Sequence, residues 1–443
     1  MPGPLLTSFH GDQILPDVVD VVIVGGGIIG ISTALELSEQ GLRVAVCEKG
    51  MPGAEQSSRN WGWVRISRRD PREMSLMAEA LKIWPTLNQR IKTDIGYQQS
   101  GIIFASQSEQ QEQQNNEWME LAEDYPISPQ ILTASQFSQR FPSSTLKVKS
   151  ALFTPEDGRA EPQKVVPAMA EAARRCGASI LTDCAVRGIE MSAGHVSAVI
   201  TERGVIQCQK VVIAGGAWTS LFLGNMGVRL PQLKVVNTVI RTTPLSEGPG
   251  SALWCRDFAL RKRQDGGYTI ASGHANLVDI VPDSFRFAGA FLPALRSEWR
   301  ALRLRLSGRF YDEWRIARKW RMDRASPFEY CRILDPQPIY SMADNAFRHL
   351  QEQLPVFQKA SIAQYWAGCI DVVPDAIPVI SACDDVKGLF IATGFSGHGF
   401  GIGPAAGKLM ANLVMNQTPV VNPHAFRFSR FSDGSKIEVM GGV

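Results

Sequence analysis

None of the six histidines of this 443-residue chain forms an HExxH or related pair, so the sequence predicts no catalytic metal. The eight cysteines, at positions 47, 176, 184, 208, 255, 331, 369 and 383, contain no CxxC and no metal-type spacing. That scatter argues for reduced thiols and a cytoplasmic setting rather than a disulfide framework. No apolar stretch reaches the roughly 18–20 residues that a bilayer-spanning helix requires. The first sixteen residues carry Pro2, Pro4, His10, Asp12 and Pro16 with no basic or apolar leader pattern, which argues against a signal peptide. Net charge is only +3, too weak a field to recruit nucleic acid. With 44% hydrophobic and 20% charged residues, the composition is that of a packed globular protein long enough for two domains.

Glycine is where the chain is rich. Residues Asp20–Gly50 read DVVIVGGGIIGISTALELSEQGLRVAVCEKG. An apolar run, Val21–Val24, enters Gly25-x-Gly27-x-x-Gly30; a helical pattern follows, then a second apolar run, Val44–Val46, ending at Glu48. This is the order of a dinucleotide-binding βαβ unit. Gly25 serves the tight turn, Gly27 the close approach of backbone to pyrophosphate, and Gly30 the packing of helix on sheet. The helix start offers unpaired N–H groups to phosphates. Glu48 suits two ribose hydroxyls and would repel a 2′-phosphate.

Beyond this unit, Pro52–Arg69 reads as a polar loop over the cofactor. Met74–Ile91 has apolar residues at helical spacing, and 106–125 reads as a solvated surface helix. Strands are expected at Ser179–Val186 and His195–Thr201, with a helix at Lys164–Cys176 before them and the run VVIAGGAW, Val211–Trp218, after them. Phe258–Gly273 reads as two antiparallel strands joined at Asp265-Gly266-Gly267. Phe291, Leu295, Trp299, Leu302 and Leu306 recur at helical spacing among Arg296, Arg300, Arg303 and Arg305. That predicts a basic amphipathic helix, which either meets an anionic membrane or packs on the body. Near the end, Gly394–Gly403 holds five glycines in ten positions and leads into a helix over Ala405–Val414.

GGGIIG with Glu48, VVIAGGAW (Val211–Trp218) and GFSGHGFGIGP (Gly394–Pro404) together resemble the FAD-dependent D-amino acid oxidase superfamily. Within it, EQSSRNWGW, DCAVRGIE, AGGAWTSLFLGNMGV, LRKRQDGGYTIA, SPFEYCRI, LPVFQK and PVISACDDVKGLFIATG make the chain similar to bacterial L-amino acid deaminases. The resemblance implies an α/β fold. A Rossmann-like FAD-binding domain is expected from 18–75, 150–232 and 364–432. A discontinuous α+β substrate-binding domain with a mixed or antiparallel sheet is expected from 76–149 and 233–363, carrying a helical basic insert at 282–336.

The same resemblance implies site residues. Gly25, Gly27 and Gly30, with Ile28 and Ile29 at the helix start, would hold the pyrophosphate; Glu48 would hold the adenosine ribose, with Lys49 beside it. Ser57, Ser58 and Asn60, followed by Trp61 and Gly62, would line pyrophosphate and flavin. Val186 would meet the adenine, and Gly215 and Trp218 the cofactor channel. Gly394, Gly397, His398, Gly399, Phe400 and Gly401 would reach the pyrimidine end. Arg261 stands where the deaminases grip the substrate carboxylate, a task suited to a planar fork on a strand; Arg263 is the alternative. Trp63, where those enzymes have glutamine, and Trp366 would wall the side-chain pocket, although Trp366 serves core packing equally well. His398 either hydrogen-bonds near flavin or substrate or orders its loop. Ile370 replaces the carboxylate-binding arginine of glycine oxidases. Cys369 is offset from the covalent attachment point of sarcosine oxidases, so FAD is expected to be non-covalent. No counterpart of the deaminases' N-terminal membrane-anchoring helix is expected.

The expected reaction is hydride transfer from Cα–H of an L-amino acid to flavin N5, then hydrolysis of the imino acid to a 2-oxo acid and ammonia. Dioxygen and a quinone both remain open as electron acceptor, as do peripheral membrane contact, a D-amino acid or secondary-amine substrate such as hydroxyproline, and a non-catalytic electron-transfer role.

Overall fold

A computed structural model describes residues 3–273, 276–298 and 302–439. At its centre β1 (Val21–Val24) runs parallel to β2 (Val44–Cys47) on one side and to Lys210–Ile213 on the other. A strand flanked in this way has both faces covered, so it needs a continuous rather than alternating apolar run; VVIV supplies it. The sheet has six strands in the order 379–382, 389–393, 210–213, β1, β2, 179–181. Helix α1 (Ile28–Glu39) covers one face and packs against the helices Pro162–Arg175 and Gly399–Met415. The approach of α1 to the last helix is close enough to require glycine. A Cβ on Gly407 would stand 2.4 Å from the Cβ of Ser32.

The second layer is an eight-stranded sheet in the order Ile362–Val372, Leu233–Thr242, Tyr268–Ala271, Ala259–Lys262, Ala252–Trp254, Ile102–Ser106, Ser150–Thr154 and Gln130–Thr133. The expected hairpin is present: Arg261 pairs with Thr269, and the turn has Gly266 at φ +84°. A core of Phe137, Phe258, Tyr268, Phe347 and Phe357 lies under this sheet.

Several expectations are corrected. Ser179–Val186 is not one strand: Ser179–Leu181 joins the cofactor sheet and Val186–Ser192 begins an antiparallel meander with His195–Thr201. Asp183, at φ +45°, makes the turn between them. Helix Glu109–Ala122 is not purely solvated, because Trp118 and Asn115 are buried in it. Pro52–Arg69 contains a helical turn, Gln56–Arg59, and a short strand, Trp63–Val64. The basic insert is not one long helix. Helix Ala288–Glu298 ends, and Leu302–Leu306 is a strand parallel to Asn276–Ile280. A buried carboxylate explains the change. Asp279, 1% exposed, accepts from Arg305 Nε at 2.8 Å and Arg309 Nη1 at 3.0 Å, so these arginines answer a partner instead of lining a solvated face. Trp299 lies outside the described residues. Ser150–Thr154 and Ile362–Val372 both pair within the eight-stranded sheet.

Candidate active site

A channel opens along the carboxyl ends of β1, β2 and Lys210–Ile213, the place where open α/β sheets bind ligands. Gly25, Gly27, Ile28, Ile29, Glu48, Lys49, Ser57, Asn60, Val186, Gly215, Trp218, Gly397, Gly399 and Phe400 line it. Gly25 has φ +108°, and a Cβ there would meet the Ala214 carbonyl oxygen at 2.5 Å. On Gly27 a Cβ would touch only Ser57 Oγ, at 3.2 Å, and would otherwise project into channel space. Gly30 is off the channel: its missing Cβ clears the Gly25 carbonyl oxygen at 2.1 Å, holding helix to turn.

Glu48 is fixed by two backbone donors, Gly26 N at 2.7 Å to Oε2 and Gly50 N at 2.8 Å to Oε1. Burial pushes its carboxyl up, opposed by the charge of Lys49 and by those N–H bonds. Lys49 Nζ turns to Glu55 Oε1 (2.6 Å) and to the carbonyls of Cys331 and Arg332, and stands 4.7 Å from the Trp218 ring centroid. It thereby straps the end of the insert to the channel, where Phe328 packs on Trp218 and Phe222. Thr219 Oγ1 lies buried on the channel wall with no protein partner, a hydroxyl left for a ligand. The glycine cradle, the acidic strand end and this orphan fit FAD.

At the far end Asp371, which sequence reasoning missed, lines the channel at 6% exposure. Its Oδ2 accepts from Gly394 N at 2.8 Å and Thr393 Oγ1 at 3.3 Å, and burial pushes its carboxyl up to about 6. The available signal was an acid inside the apolar run GCIDVVP. Glu55, Thr219, Phe328 and Thr393 were missed as well. Gly394 and Gly401 shape the loop without lining the channel; Gly394 has φ +74°, and the Gly401 carbonyl accepts from Trp84 Nε1 at 2.7 Å.

The His398 ring is not on the channel wall. Its Nδ1 meets Glu73 Oε2 at 3.2 Å, while its carbonyl accepts from Arg69 Nη2 at 3.1 Å. Of the two roles expected for His398, loop ordering is the one this placement serves. Burial and Arg69 push the imidazole down to about 4 against the pull of Glu73. Since the folded value lies below the unfolded ~6.5, the contribution of His398 is complete above pH 6.5 and is lost as pH falls toward 4. Urea unfolding of the unaltered protein and of His398→Asn should therefore show their stability difference shrinking by up to about 3 kcal/mol across that window. A difference that does not change with pH would contradict the burial of the imidazole beside Arg69.

The remaining candidates gather on the substrate-sheet side. Arg261 is 1% exposed and donates to Glu161 Oε1 (2.8 Å), to the Trp61 carbonyl (2.6 Å) and to Thr269 Oγ1 (3.1 Å). Gly62, at φ +77°, makes room, since a Cβ there would lie 2.8 Å from the guanidinium carbon. Trp61 and Trp63 meet edge to face at 5.1 Å, and Trp63 is buried with its Nε1 unpartnered. Trp366 packs with Val239, Ala271 and Trp61 and donates to the Arg59 carbonyl at 3.1 Å. Ser58 accepts from Gln163 Nε2 through its carbonyl. Arg261, Trp61, Trp63 and Trp366 thus converge on the wall formed by residues 58–63, behind rather than inside the channel. Arg263 instead faces a separate cavity. Among the described residues no group of three or more His, Cys, Asp or Glu is placed to hold a metal.

Known proteins share this architecture. L-amino acid deaminase from Proteus myxofaciens, in complex with anthranilate, superposes with a TM-score of 0.93 and 31% identity, covering 98% of each chain. The L-amino acid deaminase from Proteus vulgaris gives 0.91 and 29%, covering 96% of this chain and 100% of that one. 4-Methylaminobutanoate oxidase (formaldehyde-forming) of Paenarthrobacter nicotinovorans is 24% identical over 94% of this chain, which spans only 46% of that protein's length. The sequence profile of the FAD dependent oxidoreductases matches residues 20–413. With the cradle, the acidic strand end and the second glycine loop around one channel, the chain belongs to the DAO family of FAD-dependent oxidoreductases.

Proposed function

We propose that this oxidoreductase deaminates L-amino acids. The observation that carries the proposal is the wall between channel and substrate sheet, where three tryptophans and a buried arginine gather on the segment whose Ser57 and Asn60 line the channel. The full-length likeness to two L-amino acid deaminases supports it. FAD, when bound, supplies the acceptor for the hydride leaving Cα. The protein's own share is orientation and exclusion of water. Arg261, or Arg263 in its place, holds the carboxylate; Trp61, Trp63 and Trp366 shield the reacting carbon. The seventeen-residue helix Gly399–Met415 directs its N-terminus at the channel, where its dipole favours negative charge on a reduced ring. The imino acid is then hydrolysed by water to a 2-oxo acid and ammonia.

The cofactor-binding unit comprises the segments feeding the six-stranded sheet, and the substrate-binding unit those feeding the eight-stranded one. FAD is held without a covalent bond: Cys369 is 5% exposed, lies off the channel, and has its thiol pushed up by burial to about 11, so little nucleophilic thiolate is present. A secondary or N-methyl amine is the competing substrate class, favoured by the likeness to 4-methylaminobutanoate oxidase. Anaerobic mixing with L-amino acids, D-amino acids and N-methyl amines separates the readings. Bleaching of the flavin by L-amino acids alone is expected; bleaching only by the other classes would overturn the proposal. Admitting air and then a quinone to the reduced protein identifies the acceptor.

The insert supports peripheral membrane contact. Phe285, Leu306, Tyr311 and Trp314 are 68%, 72%, 68% and 69% exposed, on an insert whose Arg305 and Arg321 are paired with Asp279 and Asp323. Exposed apolar side chains on a basic insert suit an anionic lipid surface. No described helix is long and apolar enough to cross a membrane. Cosedimentation with phosphatidylglycerol vesicles should fall at least about fivefold in Leu306→Glu/Trp314→Glu, each lost apolar contact contributing about 1 kcal/mol or more. Equal binding by both proteins would remove this face from the contact.

A further inference from the structure

A second cavity, of about 440 Å3, lies beyond the wall. It shares no lining residue with the cofactor channel, yet the two are close. Trp366 and Gln163 line the cavity and donate to the carbonyls of Arg59 and Ser58, while the flanking Ser57 and Asn60 line the channel. Leu6 and the edge of the nearly buried Trp366 are among its apolar lining.

Two polar groups on this cavity lack full partners, and they are of opposite sign. Arg241 Nε is buried without a hydrogen-bond partner, and the nearest carboxylate to its guanidinium, that of Asp265, is 4.0 Å away. Glu161 uses Oε1 twice, for Arg261 Nη1 and Gln264 N, both at 2.8 Å. Its Oε2 makes no hydrogen bond and has only Arg263 Nη2, at 4.0 Å. The other charges here are already engaged: Arg263 donates to Asp265 at 3.1 Å, and Lys164 to Gln264 at 2.6 Å. What is left open is one guanidinium donor and one carboxylate acceptor across a space with an aromatic floor. A carboxylate binds the first and an ammonium the second.

We propose that this cavity captures the substrate as its zwitterion ahead of the flavin, with Arg241 on the α-carboxylate, Glu161 on the α-ammonium and Trp366 against the side chain. This rests on the amino-acid reading above. A ligand there is one backbone layer from the channel, on the far side of residues 58–59.

The test uses the holoprotein reduced with dithionite without oxygen, which binds amino acids but cannot oxidise them. Calorimetry is run with L-leucine, with 4-methyl-2-oxopentanoate, which lacks the ammonium, and with N-acetyl-L-leucine, whose nitrogen is uncharged. Arg241→Gln should weaken leucine and the oxo acid about tenfold each, the typical loss of one charge-assisted hydrogen bond. Glu161→Gln should weaken leucine by a similar factor, and by more than it weakens the oxo acid. Should Glu161→Gln fail to fold, the unaltered protein gives the same information: N-acetyl-L-leucine should bind at least about tenfold more weakly than leucine. Unchanged binding in Arg241→Gln, or acetylated and free leucine binding alike, would overturn the site. If leucine binds with these dependences but does not bleach the oxidised flavin, the site stands and the proposed reaction falls. If it bleaches the flavin while Arg241→Gln binds normally, the reaction stands and the site falls.

Discussion

Glu48→Arg is expected to purify nearly colourless, with less than about a tenth of the FAD carried by the unaltered chain. Glu48 does two things at once in the channel. It closes the glycine turn by accepting from Gly26 N and Gly50 N at 2.7 and 2.8 Å, and it lines the channel, where its carboxylate would meet the ribose diol of FAD. Each hydrogen bond to a charged acceptor is worth about 1.5–3 kcal/mol, and losing the acceptor strands buried N–H groups as well. An arginine also has no room, because the Glu48 side chain already passes about 3.0 Å from where a Cβ on Gly26 would be. The new cation would face Lys49, which is committed to Glu55 and two carbonyls. Glu48→Gln keeps the shape and one acceptor, so its flavin content should lie between the two. Absorbance at 450 nm per polypeptide after gel filtration measures this, and full flavin occupancy in Glu48→Arg would contradict the assignment.

The cofactor half of the molecule was legible because its chemistry is local. A turn that needs φ +108° at Gly25, a missing side chain at Gly27 and an acid at the end of the next strand all fall within thirty residues. Asp371 was not found, because its meaning depends on Gly394 and Thr393 folding against it from the other side of a crossover. The insert was misread for another reason. The alternation Leu302-Arg303-Leu304-Arg305-Leu306 is itself a strand pattern, masked by the wider helical spacing of the apolar residues before it, and the buried Asp279 on the neighbouring strand gives Arg305 its counter-charge. His398 stood in a loop rich in glycine, so its ring had two possible directions. Glu73, at 0% exposure on another helix, decides it. The residues around Arg261 show the limit most clearly: its strand and hairpin follow from the local pattern, but the carboxylate that pairs with it lies a hundred residues earlier, at Glu161.

That pairing determines what Arg261→Leu should do. The unaltered pair is almost fully buried, with Arg261 at 1% and Glu161 at 6% side-chain exposure, so removing the cation leaves a carboxylate with little water. Breaking one side of such a pair costs about 3–5 kcal/mol, whereas replacing both sides by uncharged groups is often close to neutral. Urea unfolding should thus show a large loss in Arg261→Leu and recovery of most of it in Arg261→Leu/Glu161→Gln. Stability alone cannot distinguish a structural arginine from a substrate-binding one; a ligand with a carboxylate and no amine can. Inhibition by a 2-oxo acid does not involve the ammonium that Glu161 is proposed to bind. If Arg261 also grips the substrate carboxylate, the inhibition constant should rise by roughly 30-fold or more in the single variant, a loss of about 2–4 kcal/mol, and stay high in the double variant although its stability has returned. If inhibition recovers along with stability, Arg261 is a structural residue, and the carboxylate contact passes to Arg263, which lines the second cavity.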